Sequence, residues 1–454
     1  MLLALSACST KKHDEPAPAA APEPVRLYTE DEIKTFQSAL DVRLQATKAR
    51  HCTRPLLRGT AVPSSAHDAL VELALPHGPF GECLQRYTSA KATNADMPVF
   101  LALDRECGDE VEAAIIAAVS HDDACSPYQV GIGVLPETLA PILRSADAIG
   151  TRARARAKTD PAGAIALVAD AIRAYQDLGR GQTNLIVAMI SVAAEKTLLG
   201  HAHAILDGSH LTAPQLTALA ATFDALLASE PPFGDTMLGE ADSFELFLGY
   251  ARVMPADWTP PGGWDQGLRT LESPDLGTKT DPRDYAALMM EWSELRHKNL
   301  ATSCPSAGTL ATCYAGLGDI ATRTAALMPL DPNKLTAEMI ALAGSGDAAS
   351  LDATRHHLRE SLIIVLERVA AASFQQYAAK RALPIAQLAS ARIELEVLRL
   401  GHCPNAATLN PLLTPAALGE PLVAAINGKG AGAQLSITPP AWVGDTTPWL
   451  VPCP

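Results

Sequence analysis

From about Pro136 to Leu400 apolar residues recur at helical spacing, and the breaks between them are short. A chain patterned this way buries its apolar stripes by folding helices back on one another. The pattern predicts helices over about 136–158, 161–179, 183–206, 212–228 and 234–253. A second set follows over 283–298, 309–327, 332–343, 349–379 and 384–400. The stops have physical causes. Asp160-Pro161 supplies an N-cap followed by proline in the first turn. Thr212 with Gln215 has capping-box spacing, and Gly179 with Gly181 suits a left-handed helix stop.

Aromatic residues are only 5% of the chain, and alanine is abundant. Alanine at contact positions lets helices approach closely, so the expected fold is mostly α: antiparallel helical hairpins forming a bundle or solenoid. The Ala-Ile-Ala-Leu-Val-Ala-Asp-Ala-Ile run within 160–174 is similar to part of a tetratricopeptide-type hairpin. Past Gly401 the texture changes to Pro, Gly and Asn. Gly401-His402-Cys403-Pro404 with Leu409, Leu412 and Leu413 resembles the helix-to-strand junction of pseudopilin-like C-terminal modules. That likeness implies a small irregular or β C-terminal module, with a strand at Gln434 to Thr438.

Earlier in the chain, Thr29 three residues before Glu32 forms a second capping box, with Ile33, Phe36, Leu40 and Leu44 at helical spacing behind it. The prolines and glycines of 54–94 predict loops with a short hairpin pinned by Cys52 and Cys83, and 111–119 reads as helix. The expected organisation is a signal segment over 1–8, a Pro/Ala-rich tether over 9–28 and a helical domain over 29–254. A Pro/Gly/Trp-rich connection over 255–282 leads to the second helical set over 283–400 and the C-terminal module over 401–454.

Leu5-Ser6-Ala7-Cys8 resembles the lipobox of bacterial lipoproteins. The resemblance implies a diacylglycerol thioether on Cys8 and an envelope location, with Ser9 directing the chain to the outer membrane, facing the periplasm. Each buried methylene contributes roughly 0.8 kcal/mol, so two acyl chains anchor stably without a spanning helix. The most apolar windows, such as 184–194, fall short of the roughly 18 to 20 residues a span requires.

With Cys8 assigned to lipid, eight of the nine cysteines remain, an even number suited to an oxidising compartment. They allow about a hundred connectivities. Neighbour spacing favours Cys52 with Cys83, Cys107 with Cys125, Cys304 with Cys313 and Cys403 with Cys453. Loops of this size stabilise by about 3 kcal/mol each in the chain-entropy model. The Cys304–Cys313 pairing carries a condition. A helix starting directly after Pro305 carries Cys313 about 10 Å away, at ~1.5 Å rise per residue, so the helix has to start near Thr309.

The formal net charge of −14 argues against a nucleic-acid partner. No nucleophile elbow, zinc-protease helix or Walker loop is present, so no catalytic, metal or cofactor residue is assigned. Gly428 to Gly432 reads as a flexible turn. His356 and Glu360 share a helical face with Arg355 and Arg359 and read as a solvated ion-pair face. His201, His203 and His210 read as exposed histidines at a helix end. Arg152 pairs with Arg156, and Arg154 with Lys158, on two faces of one helix, read as solvated. Trp258, Trp264, Trp442 and Trp449 fall in Pro/Gly-rich segments as candidate binding-loop aromatics that stack on sugar rings or lid the bundle.

The function expected is a periplasm-facing helical binding or scaffold protein with envelope partners, either protein or peptidoglycan. The rival is a glycan-acting hydrolase using carboxylates such as Glu240, Asp242 and Glu245.

Overall fold

A computed structural model describes residues 97–119, 121–123, 136–180, 185–250, 253–254, 282–327, 348–428 and 432–453. Residues 25–26, 29–32, 62–65, 85–87 and 89–90, with scattered positions between 34 and 45, are also described. The elements are β1 (Val25–Arg26), β2 (Val62–Ser65), α1 (Met97–Val119), β3 (His121–Asp123), α2 (Pro136–Arg156), α3 (Pro161–Gly179), α4 (Leu185–Leu206), α5 (Ala213–Ala228), α6 (Phe233–Tyr250) and β4 (Val253–Met254). They continue with α7 (Pro282–Ser303), α8 (Leu310–Leu327), α9 (Ala348–Leu400), the one-turn α10 (Ala406–Leu409), β5 (Val423–Asn427), β6 (Gln434–Thr438) and β7 (Trp449–Pro452). The molecule is mostly α with a small antiparallel sheet at its C-terminal end.

The expected helix starts form for the expected reasons. Asp160 accepts the Gly163 N–H at 2.9 Å, with Pro161 in the first turn. The Thr212 N–H donates to Gln215 Oε1 at 2.9 Å. Thr29 and Glu32 exchange both bonds of their box, Thr29 N–H to Glu32 Oε2 at 2.7 Å and Glu32 N–H to Thr29 Oγ1 at 3.2 Å. The Thr29 bonds hold the Glu32 carboxyl below its ordinary pKa.

Several expectations need correction. Gly179 is the last helical residue and Arg180 caps α3 in an extended conformation, its N–H reaching Asp177 O, while Gly181 of the expected left-handed stop lies outside the described residues. α1 begins at Met97, well before the periodic stretch; β2 pairs in parallel with β3, and the rest of the segment expected to form a hairpin between Cys52 and Cys83 lies outside the described residues. The two helices expected over 349–379 and 384–400 are one 53-residue helix that runs through Pro384. An interior proline removes a hydrogen bond and ordinarily breaks a helix. Here Pro384 is buried, and its neighbours Leu383, Ile385 and Ala386 are packed on all sides. Tertiary contacts therefore hold the backbone helical across it. α4 also corrects the view that no stretch is long enough for a membrane. By length and composition it is, yet more than half of its apolar window is buried in the body.

Helices α2, α3 and α4 pack on one another, with α1 against α2 and α3, and α5 against α3. α9 contacts α4, α5, α6, α7 and α8, so the second helical set is packed into the first. A solenoid stacks each repeat only on its neighbours; this arrangement is a bundle around α9. One contiguous core runs from Tyr87 to Cys453 and is rich in alanine, including Ala153, Ala171, Ala194, Ala202, Ala378 and Ala389.

The turn joining α7 to α8 carries the Cys304–Cys313 disulfide, with a Cα–Cα separation of 4.2 Å. The condition set by the sequence is met, because α8 starts at Leu310 and Thr309 Oγ1 accepts the Thr312 N–H at 3.2 Å. The first N–H groups of α8 are satisfied from the C-terminal module: Leu310 N–H donates to Ala417 O at 2.9 Å and Ala311 N–H to Leu418 O at 3.0 Å. Two glycines let neighbouring helices close on this turn. A Cβ on Gly234 would lie 2.5 Å from Cys304 O, and one on Gly316 would lie 2.5 Å from Ser303 O and 2.9 Å from its Cα.

Those neighbouring atoms are backbone and cannot swing aside. Gly316→Ala is expected to destabilise the fold by about 1–3 kcal/mol through overpacking, against the usual gain of a Gly→Ala change in a helix. Urea unfolding measures the difference, and an unchanged or raised midpoint contradicts the packing described.

Candidate binding groove and the junction behind it

The C-terminal module docks where α4, α5 and the last turns of α9 meet. The Cys403–Cys453 disulfide closes it, with a Cα–Cα separation of 5.1 Å, and Cys453 N–H donates to Ala433 O at 2.9 Å. Its three strands form an antiparallel meander in the order β5-β6-β7. Alternation along β6 and β7 turns Leu435, Ile437, Trp449 and Val451 onto the core, as a half-buried sheet requires.

Behind this sheet lies Glu394 of α9, 1% exposed. Trp449 Nε1 donates to its Oε2 at 2.7 Å, and His203 Nδ1 of α4 lies 2.9 Å from the same oxygen. The His203 and Trp449 rings are 4.2 Å apart between centroids. Burial pushes the Glu394 carboxyl above its ordinary value, and the bonds from His203 and Trp449 oppose that. The bond to Glu394 in turn holds the His203 imidazole above 6.5. One carboxylate thus ties two helices and a strand together. Lys196 and Asp445, 3.5 Å apart, make a second link across the same junction.

On the other side of α9, its C-terminal turns face α5 and α10 across a cavity of about 450 Å³. Arg392, Glu396 and Arg399 follow at four- and three-residue intervals on one helical face. Arg392 Nε donates to Asp224 at 2.8 Å, and its Nη1 lies 3.6 Å from Glu396 without completing a hydrogen bond. Arg399 binds Glu396 with two nitrogens and holds its carboxyl below the ordinary value. Ala220, Ala221, Pro411 and Leu412 form the apolar remainder of the wall. Charged groups of both signs beside apolar surface suit an extended segment carrying its own polar groups.

The residues singled out in the sequence are distributed as follows. Trp449 corrects the loop assignment: it lies on β7 and is 9% exposed. Trp442 is half-buried, stacks on Tyr314 at 4.9 Å and donates to Glu420 at 2.9 Å. Both lid the bundle. His203 is not a free surface histidine, and the His201 ring packs over Gly150 of α2. Arg152 and Arg156 do share one face, as expected, but that face is not solvated: Arg152 reaches Asp104, Asp109 and Glu112 of α1, and Arg156 reaches Glu112 at 2.8 Å. Arg154 and Lys158 are exposed.

Glu240 sits inside α6 and accepts the Leu185 N–H at 2.8 Å, capping α4. Asp242 and Glu245 fall within the same helix, His356, His357 and Glu360 within α9, and Cys107 within α1. Cys8, Cys52, Cys83, Cys125, Trp258 and Trp264 lie outside the described residues, as does the helix expected over 332–343. Among the described residues, no cluster of three or more His, Cys, Asp or Glu side chains is placed to hold a metal.

Glu394 escaped the sequence reading because an acid in Ile393-Glu394-Leu395-Glu396-Val397 looks like an ordinary surface position. The available signal was that apolar residues there leave no polar face wide enough for solvent. No family model matches the chain, and neither curated proteins nor solved structures yield a relative.

The junction has a pH signature. A histidine whose folded pKa is raised contributes stability that is complete below its unfolded value, near 6.5, and is lost as pH rises through the folded value. An imidazole NMR titration is expected to place His203 above 6.5 in the wild type. Glu394→Gln is expected to lower it, because the charge and bond of Glu394 are lost and only Asp207 is left to oppose burial, and to flatten the loss of stability above neutral pH. A midpoint unmoved by Glu394→Gln contradicts the pairing.

Proposed function

We propose that this chain is an envelope lipoprotein, anchored through Cys8 to the outer membrane and facing the periplasm, whose helical body binds or scaffolds an envelope partner. The observation that carries the reading is the pairing of Cys304 with Cys313 and of Cys403 with Cys453. One disulfide closes the turn between α7 and α8 and the other closes the C-terminal module, and two such bridges favour an oxidising compartment. The lipobox-like Leu5-Ser6-Ala7-Cys8 accounts for how the chain reaches that compartment and stays there.

The groove between α5, α9 and α10 supports binding as the role. It is walled by rigid elements, and a protein segment or peptidoglycan peptide entering it supplies acceptors to Arg392 and Arg399 and apolar contact to Leu412. No specific observation favours the glycan-hydrolase alternative. Glu240, the first of its carboxylates, already accepts a backbone N–H.

Fractionation of the native host tests the anchoring. Wild-type protein is expected in the outer-membrane fraction with an acyl mass on Cys8 and blocked thiols, and Cys8→Ala is expected in the soluble fraction. Recovery of wild-type protein from the cytosol, unacylated and with reduced thiols, overturns the reading. Crosslinking in intact cells then identifies the partner, and Arg392→Ala is expected to reduce its capture.

A further inference from the structure

The groove between α5, α9 and α10 carries opposite charges at opposite ends. α5 and α9 run antiparallel: Arg381 meets Glu230 just past α5, and Arg392, further along α9, meets Asp224 further back in the chain. Asp224 therefore marks one end of the groove. Arg399, about 10 Å beyond Arg392 at ~1.5 Å rise per residue, marks the other, toward the Thr217 side of α5. Neither end residue is exhausted by its internal pair. Arg392 Nε takes Asp224 Oδ1, and Arg399 gives Nε and Nη2 to Glu396. Among the described residues, Asp224 Oδ2 and Arg399 Nη1 have no bonded partner, and the two side chains are 51% and 41% exposed. Glu396 lies between them and is neutralised by Arg392 and Arg399. Two threonines on the walls spend their hydrogens on the protein, Thr217 on Ala213 O at 3.0 Å and Thr408 on Asn405 Oδ1 at 3.2 Å. Each hydroxyl is left as an acceptor.

We propose that the groove takes a free short peptide of about three residues, its ammonium on Asp224 and its carboxylate on Arg399, an inference that rests on the reading of this groove as the binding site. Two acids and two bases line the groove, so a ligand of one sign loses at one end what it gains at the other. A ligand with both charges held apart gains at both. An extended chain advances about 3.3 Å per residue, so three residues set their charged termini about 10 Å apart. A single amino acid reaches only one end, and a protein segment threading through brings no charged termini at all. The peptide's N–H groups meet the Thr217 and Thr408 hydroxyls, and its side chains meet Ala220, Ala221, Pro411 and Leu412. The cavity of about 450 Å³ is of the size that small ligands fill.

Calorimetric titration of the full 454-residue chain with Ala-Leu-Ala, its N-acetyl form, its C-terminal amide and the doubly capped form tests the assignment. The free tripeptide is expected to bind, and each cap to raise Kd about fivefold or more through loss of one charge-assisted contact. Asp224→Asn is expected to remove the penalty of the acetyl cap and keep that of the amide, and Arg399→Gln the reverse. A general structural effect does not produce this crossed pattern, and far-UV circular dichroism checks the fold of each variant. Ala221 is exposed, and Ala221→Trp, which fills the groove, is expected to abolish binding. No binding of the free tripeptide at millimolar concentration overturns the proposal, as do cap penalties that neither charge variant moves. A doubly capped peptide that binds as tightly as the free one, and is lost with Ala221→Trp, overturns the free-peptide assignment and leaves the groove a site for protein segments. Partner capture in cells that Ala221→Trp does not reduce overturns the reading of the groove itself.

Discussion

Arg381 sits near the middle of α9 with its guanidinium buried between two carboxylates, Glu195 of α4 at 2.6 Å and Glu230 at the turn between α5 and α6. Helices α4 to α8 pack on the helix that this cation fixes, and α1 to α3 pack on them or on one another. Burial pushes the Glu195 carboxyl above its ordinary value, and the arginine beside it opposes that. Glu230 also accepts from Gln176 of α3 at 2.7 Å, and Arg173, Asp177 and Arg180 of α3 continue the polar seam toward Ser229. A buried ion network of this kind adds little net stability compared with apolar packing, but it tolerates few alternative registers. Alanine-lined helices, which can slide past one another with little loss of contact, benefit from such a fixed point.

With α9 set in rotation and height, its remaining faces acquire their partners. Glu394, close to four turns further along, gathers His203 and Trp449 and so positions the sheet. Arg392, Glu396 and Arg399 face the other way and line the groove. The C-terminal module returns the favour to the second helical set by accepting the first N–H groups of α8, whose other anchor is the Cys304–Cys313 bridge. The groove and the C-terminal sheet thus stand on elements held by two disulfides and three buried carboxylates, Glu195, Glu230 and Glu394.

Much of this was legible in the chain. Asp160-Pro161, Thr212 with Gln215, and the Cys304 spacing each encode a local geometry whose physics is complete within about ten residues, and each formed as read. The strand at Gln434 to Thr438 did too. What could not be read depended on distant contacts. Pro384 looks like a helix start because local sterics make it one, and its burial within the bundle carries the helix through it. Glu195, Arg381 and Glu394 look like surface charges because their ion-pair partners are 151 to 191 positions away in the chain. The same holds for Arg152, whose partners on α1 turn a basic run into a packing contact.

The most direct test of α9 as the organising element is equilibrium unfolding of Arg381→Met, followed by far-UV circular dichroism and by tryptophan fluorescence together. Removing the cation leaves Glu195 and Glu230 buried without a counter-charge, so the loss is expected to be about 3–5 kcal/mol, with both probes still reporting one coincident transition. A loss below about 1 kcal/mol, the scale of a surface ion pair, or a wild-type chain whose two probes report separate transitions, would show that the helical sets are independent and that α9 does not organise them.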